Sequence, residues 1–220
     1  MSPANTDEPG KPQRGRPRDP ERYRRILDAA RSHFYAHGTE RASVDAIAAE
    51  AGVSKMTIYS HFGSKEGLFE AMVRDRTERI TGGLPAVEAM DPKQPRKALL
   101  AIGEQFLAVV RQEDTLGQFR SVYGAAASQP EASRAFYRQG AGRVISELAE
   151  YLRRADAAGA LKVRHPRQAA DLFLAMFLGD GHIRGLQMLD RPDDRENRAL
   201  LKEVVRVFLA AYGTGPAPGD

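Results

Sequence analysis

Residues 43–69, SVDAIAAEAGVSKMTIYSHFGSKEGLF, begin with four apolar residues at spacings of three and four, which place them on one face of an α-helix. These residues are Val44, Ile47, Ala48 and Ala51. Ser43 precedes them and is a typical N-cap, and Asp45 lies in the first turn, where the helix dipole favours an acid. The pattern predicts a short helix with one buried face.

A glycine turn and a second short helix follow. Gly52 comes directly after the last apolar position, where a left-handed backbone ends a helix at no steric cost. Ser54 can cap a helix over residues 55–61, which buries Ile58 and is otherwise largely polar. Gly63 ends this helix. The stretch therefore predicts a helix-turn-helix, an arrangement that presents its second helix to the major groove of DNA.

The same stretch carries a recognisable signature. The segments A-G-V-S, I-Y, H-F and K-E-x-L-F follow one another between Ala51 and Phe69. In this combination they closely resemble the DNA-binding region of the tetracycline-repressor (TetR) family of bacterial regulators, and the resemblance extends back to a predicted helix at 21–37. It implies a regulator, usually a repressor, that binds an operator in double-stranded DNA as a homodimer and is released by a small molecule.

Apolar periodicity and chain breakers predict an all-α fold of about nine helices, with no convincing strand. The predicted helices are 21–37, 44–51, 55–61, 65–80, 96–111, 115–127, a long one from Pro130 to before Gly159, 167–189 and 194–212. The predicted segments are a disordered basic arm at 1–18, a three-helix DNA-binding domain at 19–66, a larger ligand-binding and dimerisation domain at 67–212, and a disordered tail at 213–220.

Composition excludes several classes of protein. The chain of 220 residues has a formal net charge of +4 and no cysteine, so it can form neither disulfides nor thiolate metal sites. No apolar run approaches the roughly 20 residues that a membrane-spanning helix needs, and the N-terminus has no hydrophobic signal region. We therefore expect a cytoplasmic, nucleoid-associated protein with no membrane partner and no cofactor.

The first 18 residues are rich in proline and arginine. Within them, Arg14-Gly15-Arg16-Pro17-Arg18 resembles the core of an AT-hook. An extended arm can place arginines in a narrow, A/T-rich minor groove, where negative potential is concentrated. Arg14, Arg16 and Arg18 are therefore candidate DNA contacts, and a solubilising tail is the alternative.

The short polar helix supplies candidate base contacts. Lys55 and Thr57 lie on its exposed faces, where a lysine can donate to guanine and a threonine can contact a base. Met56 is expected either to meet the groove floor or to pack on the neighbouring helix. Ser60 is the remaining candidate on this helix.

Other candidates are expected at the DNA backbone. The family resemblance implies phosphate contacts for Tyr59, His61 and Lys65, and the alternative for Tyr59 is a packing aromatic. Ser43 and Ser54 are expected to cap helices, a role that is compatible with donation to a phosphate near a helix N-terminus.

A second resemblance covers the C-terminal part of the chain. FRSVYGAAASQPEASRAFYRQGAGRVISELAEYL, residues 119–152, and HPRQAADLFLAMFLG, residues 165–179, look like the C-terminal domain of the AefR-like group of TetR regulators. This resemblance implies a domain that senses a ligand and dimerises. It does not identify the ligand.

An effector cavity among the central helices would need apolar walls and a few polar anchors. The candidate lining residues are Phe106, Val110, Phe119, Tyr123, Tyr137, Phe173, Met176, Phe177 and His182, with Arg184 as a further polar anchor. The effector is expected to be apolar or aromatic. The alternative for each of these residues is an ordinary place in the core.

The last two predicted helices carry wide apolar stripes. One contains Ala169, Leu172, Phe173, Met176 and Phe177, and the other contains Leu200, Leu201, Val204, Val205, Val207, Phe208 and Leu209. The resemblance implies that both helices pair with those of a second subunit in a four-helix bundle. The alternative is that the stripes complete the core of a monomer.

Enzymatic activity is not predicted, and no catalytic residue or metal ligand is proposed. His33 and His37 have the i, i+4 spacing of metal ligands, but Phe34 occupies the place of a zincin-type glutamate. No nucleophile elbow or phosphate-binding fingerprint is found. A helical ligand-binding or metabolic protein with a vestigial helix-turn-helix is the alternative.

Overall fold

The computed structural model describes residues 19–82 and 87–214, and these residues form an all-α fold, as predicted. The first four helices are α1 (Pro20–Arg41), α2 (Val44–Ala51), α3 (Lys55–Phe62) and α4 (Lys65–Gly82). A short 3-10 turn, Val87–Ala89, then precedes seven further helices. These are α5 (Pro95–Val110), α6 (Glu113–Gly124), α7 (Pro130–Gln139), α8 (Ala141–Ala157), α9 (Pro166–Ala175), α10 (Asp180–Leu186) and α11 (Asp194–Tyr212).

The described residues contain eleven α-helices where the sequence predicted about nine, because two predicted helices are divided. The long helix predicted from Pro130 is divided at Gly140, whose φ of −95° and ψ of −106° are not helical. A side chain at this position would bring its Cβ within 2.7 Å of the Phe136 carbonyl oxygen. Helical apolar spacing continues across the break, so periodicity alone does not reveal it.

The second break divides the helix predicted over 167–189. In the structure α9 ends at Ala175 and α10 begins at Asp180. The Arg111 guanidinium, which follows α5, donates from Nη2 to the Phe177 carbonyl oxygen at 3.1 Å. A carbonyl between the two helices thereby receives a partner from a distant part of the chain.

One hydrophobic core holds the N-terminal helices together and forms what we call the head, residues 19–73. It buries apolar side chains of α1, α2 and α3 together with Leu68, Phe69, Met72 and Val73 of α4. Val122 of α6 packs in the same core. The core therefore extends beyond the predicted boundary at residue 66, because the first half of α4 packs as part of the head.

A second core joins α5, α8, α9 and α11. The ring of Phe173 makes edge contacts with Phe177 and Phe208, at centroid distances of 5.3 Å and 5.1 Å. Tyr151 is fully buried in this core and donates its hydroxyl to the Asp91 carbonyl oxygen at 3.2 Å. The C-terminal helices are thus built around buried aromatic rings.

The predicted disordered tail at 213–220 begins with two residues that are bonded to the C-terminal domain. Gly213 forms an isolated antiparallel bridge with Leu161. The Thr214 hydroxyl donates to the Gly159 carbonyl oxygen at 2.9 Å. Gly213 and Thr214 are thus bonded to the segment after α8, and residues 215–220 lie outside the described residues, so disorder of the tail stays a prediction.

Candidate nucleic-acid interface

The α2–α3 turn has the geometry that the sequence predicts. Ser43 caps α2 by accepting a hydrogen bond from the Ala46 amide at 3.4 Å. Gly52 ends α2 in the left-handed conformation, with φ of 67° and ψ of 39°. The Val53 amide donates back to the Ala48 carbonyl oxygen at 3.0 Å. The predicted helix-turn-helix is therefore confirmed.

Helix α3 is fixed to the head on one side. Ile58 is fully buried, and the Phe62 ring packs against Tyr23 at a centroid distance of 5.2 Å. Tyr59 is half-buried and packs against the core of the head, which supports a packing role for its ring. The opposite side of α3 remains open to solvent.

Three candidate base contacts lie at the start of α3, in different environments. The Lys55 ammonium donates to the Asp45 carboxylate of α2 at 2.9 Å, and this bond raises the pKa of Lys55. Met56 is 75% exposed, so its side chain is not packed on the neighbouring helix. Thr57 is half-buried, and its hydroxyl lies 2.9 Å from that of Ser54, which also caps α3.

The remaining head candidates lie around α3 and already have internal contacts. The Lys65 ammonium donates to the Glu40 carbonyl oxygen at 2.9 Å. The Ser60 hydroxyl donates to the Thr57 carbonyl oxygen at 2.8 Å. His61 is half-buried, with its ring centroid 6.0 Å from that of its neighbour Phe62. Arg14, Arg16 and Arg18 of the predicted arm lie outside the described residues.

Two contacts in the head were not predicted by any pattern in the sequence. Asp45 was interpreted only as a dipole-favoured residue of α2, yet it pairs with Lys55. Arg25 of α1 donates from Nε to the Ala51 carbonyl oxygen at 3.4 Å and so ties α1 to the end of α2. Both contacts join residues of different helices, so they depend on how those helices pack.

In the histidine pair of α1, His33 contacts a carboxylate of α2. His33 Nε2 lies 2.9 Å from a carboxylate oxygen of Glu50 in α2. Its ring is 6.0 Å from that of His37. Within residues 19–82 and 87–214, no group of three or more histidine, aspartate or glutamate side chains is arranged to hold a metal ion.

The nine candidate effector-binding residues do not lie together in a single cluster. Phe173, Phe177 and Val110 are buried, and Phe106 and Met176 pack against the same C-terminal core. The burial of these three side chains supports an ordinary place in the core, and their role in an effector cavity stays a prediction. Phe173 lies in α9, Val110 ends α5 and Phe177 follows α9, and all three side chains face the interior of the chain.

A separate aromatic cluster contains three further candidates, Phe119, Tyr123 and His182. The Phe119 ring lies 5.5 Å from Tyr123 and 5.0 Å from the imidazole of His182. His182 is only 5% exposed, and its Nδ1 has no hydrogen-bond partner among the described residues. Burial, aided by the charge of Arg111, lowers the pKa of His182. This cluster therefore combines apolar rings with one buried polar atom.

The last candidate, Tyr137, lies elsewhere. It is exposed and lines an open groove of about 860 Å³ between the end of α7 and the start of α9. Arg164, His165 and Arg167 line the same groove. The single cavity expected from the sequence is thus not formed by all nine candidates, because helical apolar spacing does not specify which neighbour each residue faces.

Two family models match this chain over most of the described residues. The model of bacterial regulatory proteins of the tetR family matches residues 26–72. The model of the AefR-like transcriptional repressor C-terminal domain matches residues 97–214. The chain belongs to the TetR family. It is therefore a transcriptional regulator and not an enzyme, as predicted.

Individual relatives agree with this assignment. The HTH-type transcriptional repressor Rv1474c of Mycobacterium tuberculosis is 28% identical over 171 residues, which cover 78% of this chain and 85% of that protein. A structure from Mesorhizobium loti assigned to the TetR family is 28% identical, with a TM-score of 0.75, and covers 90% of this chain and 100% of its own. The flavonoid-responsive regulator FrrA is 27% identical, with a TM-score of 0.76 and the same coverage.

In this TetR-family regulator, α6 joins the head to the C-terminal helices. The Asp114 carboxylate at its start accepts hydrogen bonds from Arg31 of α1 at 3.3 Å and from Arg76 of α4 at 3.1 Å. The buried Gln118 amide donates to the Val73 carbonyl oxygen of α4 at 3.1 Å. We call Asp114, Gly117 and Gln118 the α6 seam.

Gly117 of the α6 seam is in close contact with the head. A Cβ built on it would lie 3.1 Å from the ring of Tyr35 in α1. The Tyr35 ring therefore packs directly on the backbone of α6. Hydrogen bonds and close packing together place α6 in contact with both α1 and α4.

The apolar stripes predicted for dimerisation belong mostly to the core of one subunit. Ala169, Phe173 and Phe177 are buried, as are Val204, Val205 and Phe208. The outward positions include Leu172 of α9, which is 50% exposed, and Val207 of α11, which is 40% exposed. Most of both stripes therefore faces the core of the chain, and pairing with a second subunit through these helices stays a prediction.

No helix within the described ranges is both long enough and apolar enough to cross a membrane.

Proposed function

We propose that this TetR-family regulator is a repressor that binds a pseudo-palindromic operator in double-stranded DNA as a homodimer and is released by a small molecule. The observation that carries the proposal is the environment of α3. The helix is fixed through the buried Ile58, while Met56 is exposed and Lys55 presents its ammonium at the surface. A rigid helix with one solvent-facing side is what the major groove admits.

The proposed dimer rests on the outward face of the C-terminal helices. Leu172 of α9, Ile183 of α10 and Val207 of α11 expose large apolar side chains. A second copy of the same surface would cover them across a two-fold axis. Two heads related by that axis match two half-sites of an operator, whereas one short helix makes few base contacts.

The proposed effector is apolar or aromatic. The cluster of Phe119, Tyr123 and His182 offers half-buried and exposed rings together with a buried imidazole nitrogen that has no partner among the described residues. Such a combination suits a small molecule with an apolar body and one polar group. The relative FrrA is described as flavonoid-responsive, which supports an aromatic effector here.

Release is proposed to act through α4 and the α6 seam. An effector shifts the equilibrium only if it binds the conformer that does not fit DNA more tightly. Asp114 and Gln118 bond α6 to α4, and α4 contributes Leu68 and Phe69 to the core of the head. A displacement of α6 would therefore change the position of the head.

The N-terminal arm is proposed to contact the minor groove through Arg14, Arg16 and Arg18. Removal of residues 1–18 should weaken binding to DNA and flatten its dependence on salt, because fewer phosphate counterions are released. Binding measured by fluorescence anisotropy at several salt concentrations tests this. Unchanged affinity and slope would leave the arm as a solubilising tail.

The function is tested by recovery of genomic DNA fragments with the purified protein at moderate salt. We expect a small set of fragments to be retained by the wild type. Lys65→Met should weaken binding to all fragments about equally, since it removes a phosphate contact, whereas Lys55→Met should change which fragments are retained. Retention of no fragment, or of all fragments alike, would contradict the proposed operator binding.

A further inference from the structure

The head contains two lysines, and the structure holds them in different ways. The Lys65 ammonium donates to a backbone carbonyl, that of Glu40, at 2.9 Å, and so retains its full positive charge. The Lys55 ammonium donates to a carboxylate, that of Asp45, also at 2.9 Å. Lys55 begins α3 and Asp45 lies in the first turn of α2, so the ion pair bridges the two helices of the helix-turn-helix.

The ion pair with Asp45 changes the net charge and the number of free N–H donors that Lys55 presents to DNA. An ion pair has no net charge, so it adds little to the attraction for phosphates that drives non-specific binding. A lysine ammonium has three N–H donors, and the bond to Asp45 uses one of them. Two donors therefore remain for acceptors on a base edge, and the flexible four-carbon stem is fixed at its end.

We propose that Asp45 is a specificity-determining residue of the DNA-binding surface, which acts by holding the Lys55 ammonium toward the bases and away from the phosphates. The proposal rests on the proposed DNA-binding function. Asp45 is a positioning residue, since it acts through Lys55. Its location suits the role, because its side chain is 69% exposed and lies on the same side as the open start of α3.

Replacement of Asp45 by asparagine should release Lys55. The freed ammonium would then reach phosphates of any sequence, so affinity for arbitrary DNA should rise and its salt dependence should steepen by about one released counterion for each head. The preference for particular base pairs should fall at the same time. Both carboxylate and ammonium are about half exposed or more, so the pair contributes little to folding.

Asp45 can also act within its own helix, independently of Lys55. A carboxylate in the first turn of α2 also interacts favourably with the helix dipole. That role predicts a lower melting temperature for Asp45→Asn but no change in sequence preference. It also predicts that Asp45→Asn lowers the melting temperature by the same amount with and without Lys55.

The test uses the full chain and a pool of DNA duplexes with a randomised central segment. The wild type selects duplexes from the pool, and affinities for the selected and the unselected DNA are then measured for Asp45→Asn, Asp45→Glu, Lys55→Met and the double variant Asp45→Asn/Lys55→Met. We expect Asp45→Asn to lower the ratio of the two affinities about tenfold, the size expected from one good base contact. The ratio for Asp45→Glu should stay close to that of the wild type. In the Lys55→Met background, Asp45→Asn should not lower the ratio any further.

If Asp45→Asn lowers the ratio of the two affinities equally with and without Lys55, Asp45 acts through its own charge. That result would overturn the inference. An unchanged ratio with a lowered melting temperature would reduce Asp45 to a helix-stabilising residue. If the wild type selects no sequence, the proposed function fails as well, whereas selection by the wild type with an unaltered ratio in Asp45→Asn overturns the inference alone.

Discussion

At the scale of single residues, Gly67 of α4 leaves no room for a side chain. A Cβ on it would lie 2.1 Å from the carbonyl oxygen of Phe62. That oxygen belongs to the backbone at the end of α3, so the junction between α3 and α4 would have to shift. We expect Gly67→Ala to lower the free energy of unfolding by about 1–3 kcal/mol, the usual range for overpacking, and to weaken DNA binding.

Gly124 provides a matched control for this replacement. It is the last residue of α6, and nothing lies within 4 Å of a Cβ built on it. Gly124→Ala should therefore leave both properties close to those of the wild type. Thermal unfolding followed by circular dichroism gives the comparison. Equal melting temperatures for the two variants would contradict the close contact at Gly67.

His182 makes stability depend on pH. Its pKa in the folded protein is lowered from the ordinary value of 6.5, because burial and the charge of Arg111 disfavour the imidazolium. The unfolded chain therefore takes up the proton first as pH falls, and the stability that the neutral imidazole contributes above about pH 6.5 is lost below it. We expect the melting temperature of the wild type to fall more steeply than that of His182→Gln between about pH 7 and pH 5. An equal fall in melting temperature for the wild type and His182→Gln over this range would contradict the contribution of His182.

Sequence patterns predicted the local features of the head but not its long-range contacts. Ser43, Gly52 and Ser54 act within a few residues of their own positions, so their roles as caps and turn could be inferred from neighbours in the chain. Lys55 and Asp45 are ten residues apart and lie in different helices. Their pairing depends on the angle between α2 and α3, which periodicity does not determine.

At the scale of helices, breaks were harder to predict than starts. Pro130 opens α7 as expected, and Pro166 opens α9 in the same way, because proline fits the first turn of a helix. The break between α9 and α10 instead involves a bond from Arg111 to the Phe177 carbonyl oxygen, 66 residues away in the chain. Apolar spacing remains helical through such a break, so only the three-dimensional packing shows it.

The α6 seam can be tested through Asp114. Its carboxylate accepts hydrogen bonds from Arg31 of α1 and Arg76 of α4. Asp114→Asn removes the charge that holds both arginines, so amides at the start of α6 should exchange with solvent faster. The cost in folding free energy should stay near 1 kcal/mol or below, because the carboxylate is largely exposed.

Hydrogen exchange followed by mass spectrometry provides the measurement. Glu131→Gln is a suitable control, because the partner of Glu131 is Arg134 in the same helix, α7. It should leave exchange at α6 unchanged. If Asp114→Asn and Glu131→Gln give the same exchange at α6, the seam does not depend on this carboxylate.

At the scale of the whole molecule, the sequence predicted an all-α protein but not the division of its apolar surface. Phe173 and Leu172 are neighbours in the same predicted stripe, yet Phe173 is fully buried and Leu172 is half exposed. Hydrophobicity is similar for the buried and the exposed members of the stripe. Only the packing of α9 against α8 and α11 separates the two sets.

The outward apolar residues give a prediction for assembly. We expect the wild type to sediment as a dimer at micromolar concentration and the double variant Leu172→Arg/Val207→Arg to sediment as a monomer. Two arginines on this face would bring like charges together across a two-fold axis. Ala101→Arg, on an exposed position of α5, is the control and should remain dimeric. A wild type that is monomeric would contradict the proposed dimer.

The central proposal is that two copies of α3 read a two-fold DNA site, and selection from a pool of randomised duplexes tests it most directly. The sequences enriched by the wild-type protein should contain an inverted repeat, with half-site centres separated by about one helical turn, or 10 base pairs, or a multiple of it. Enrichment of a single unrepeated motif, or of no motif, would contradict the proposal.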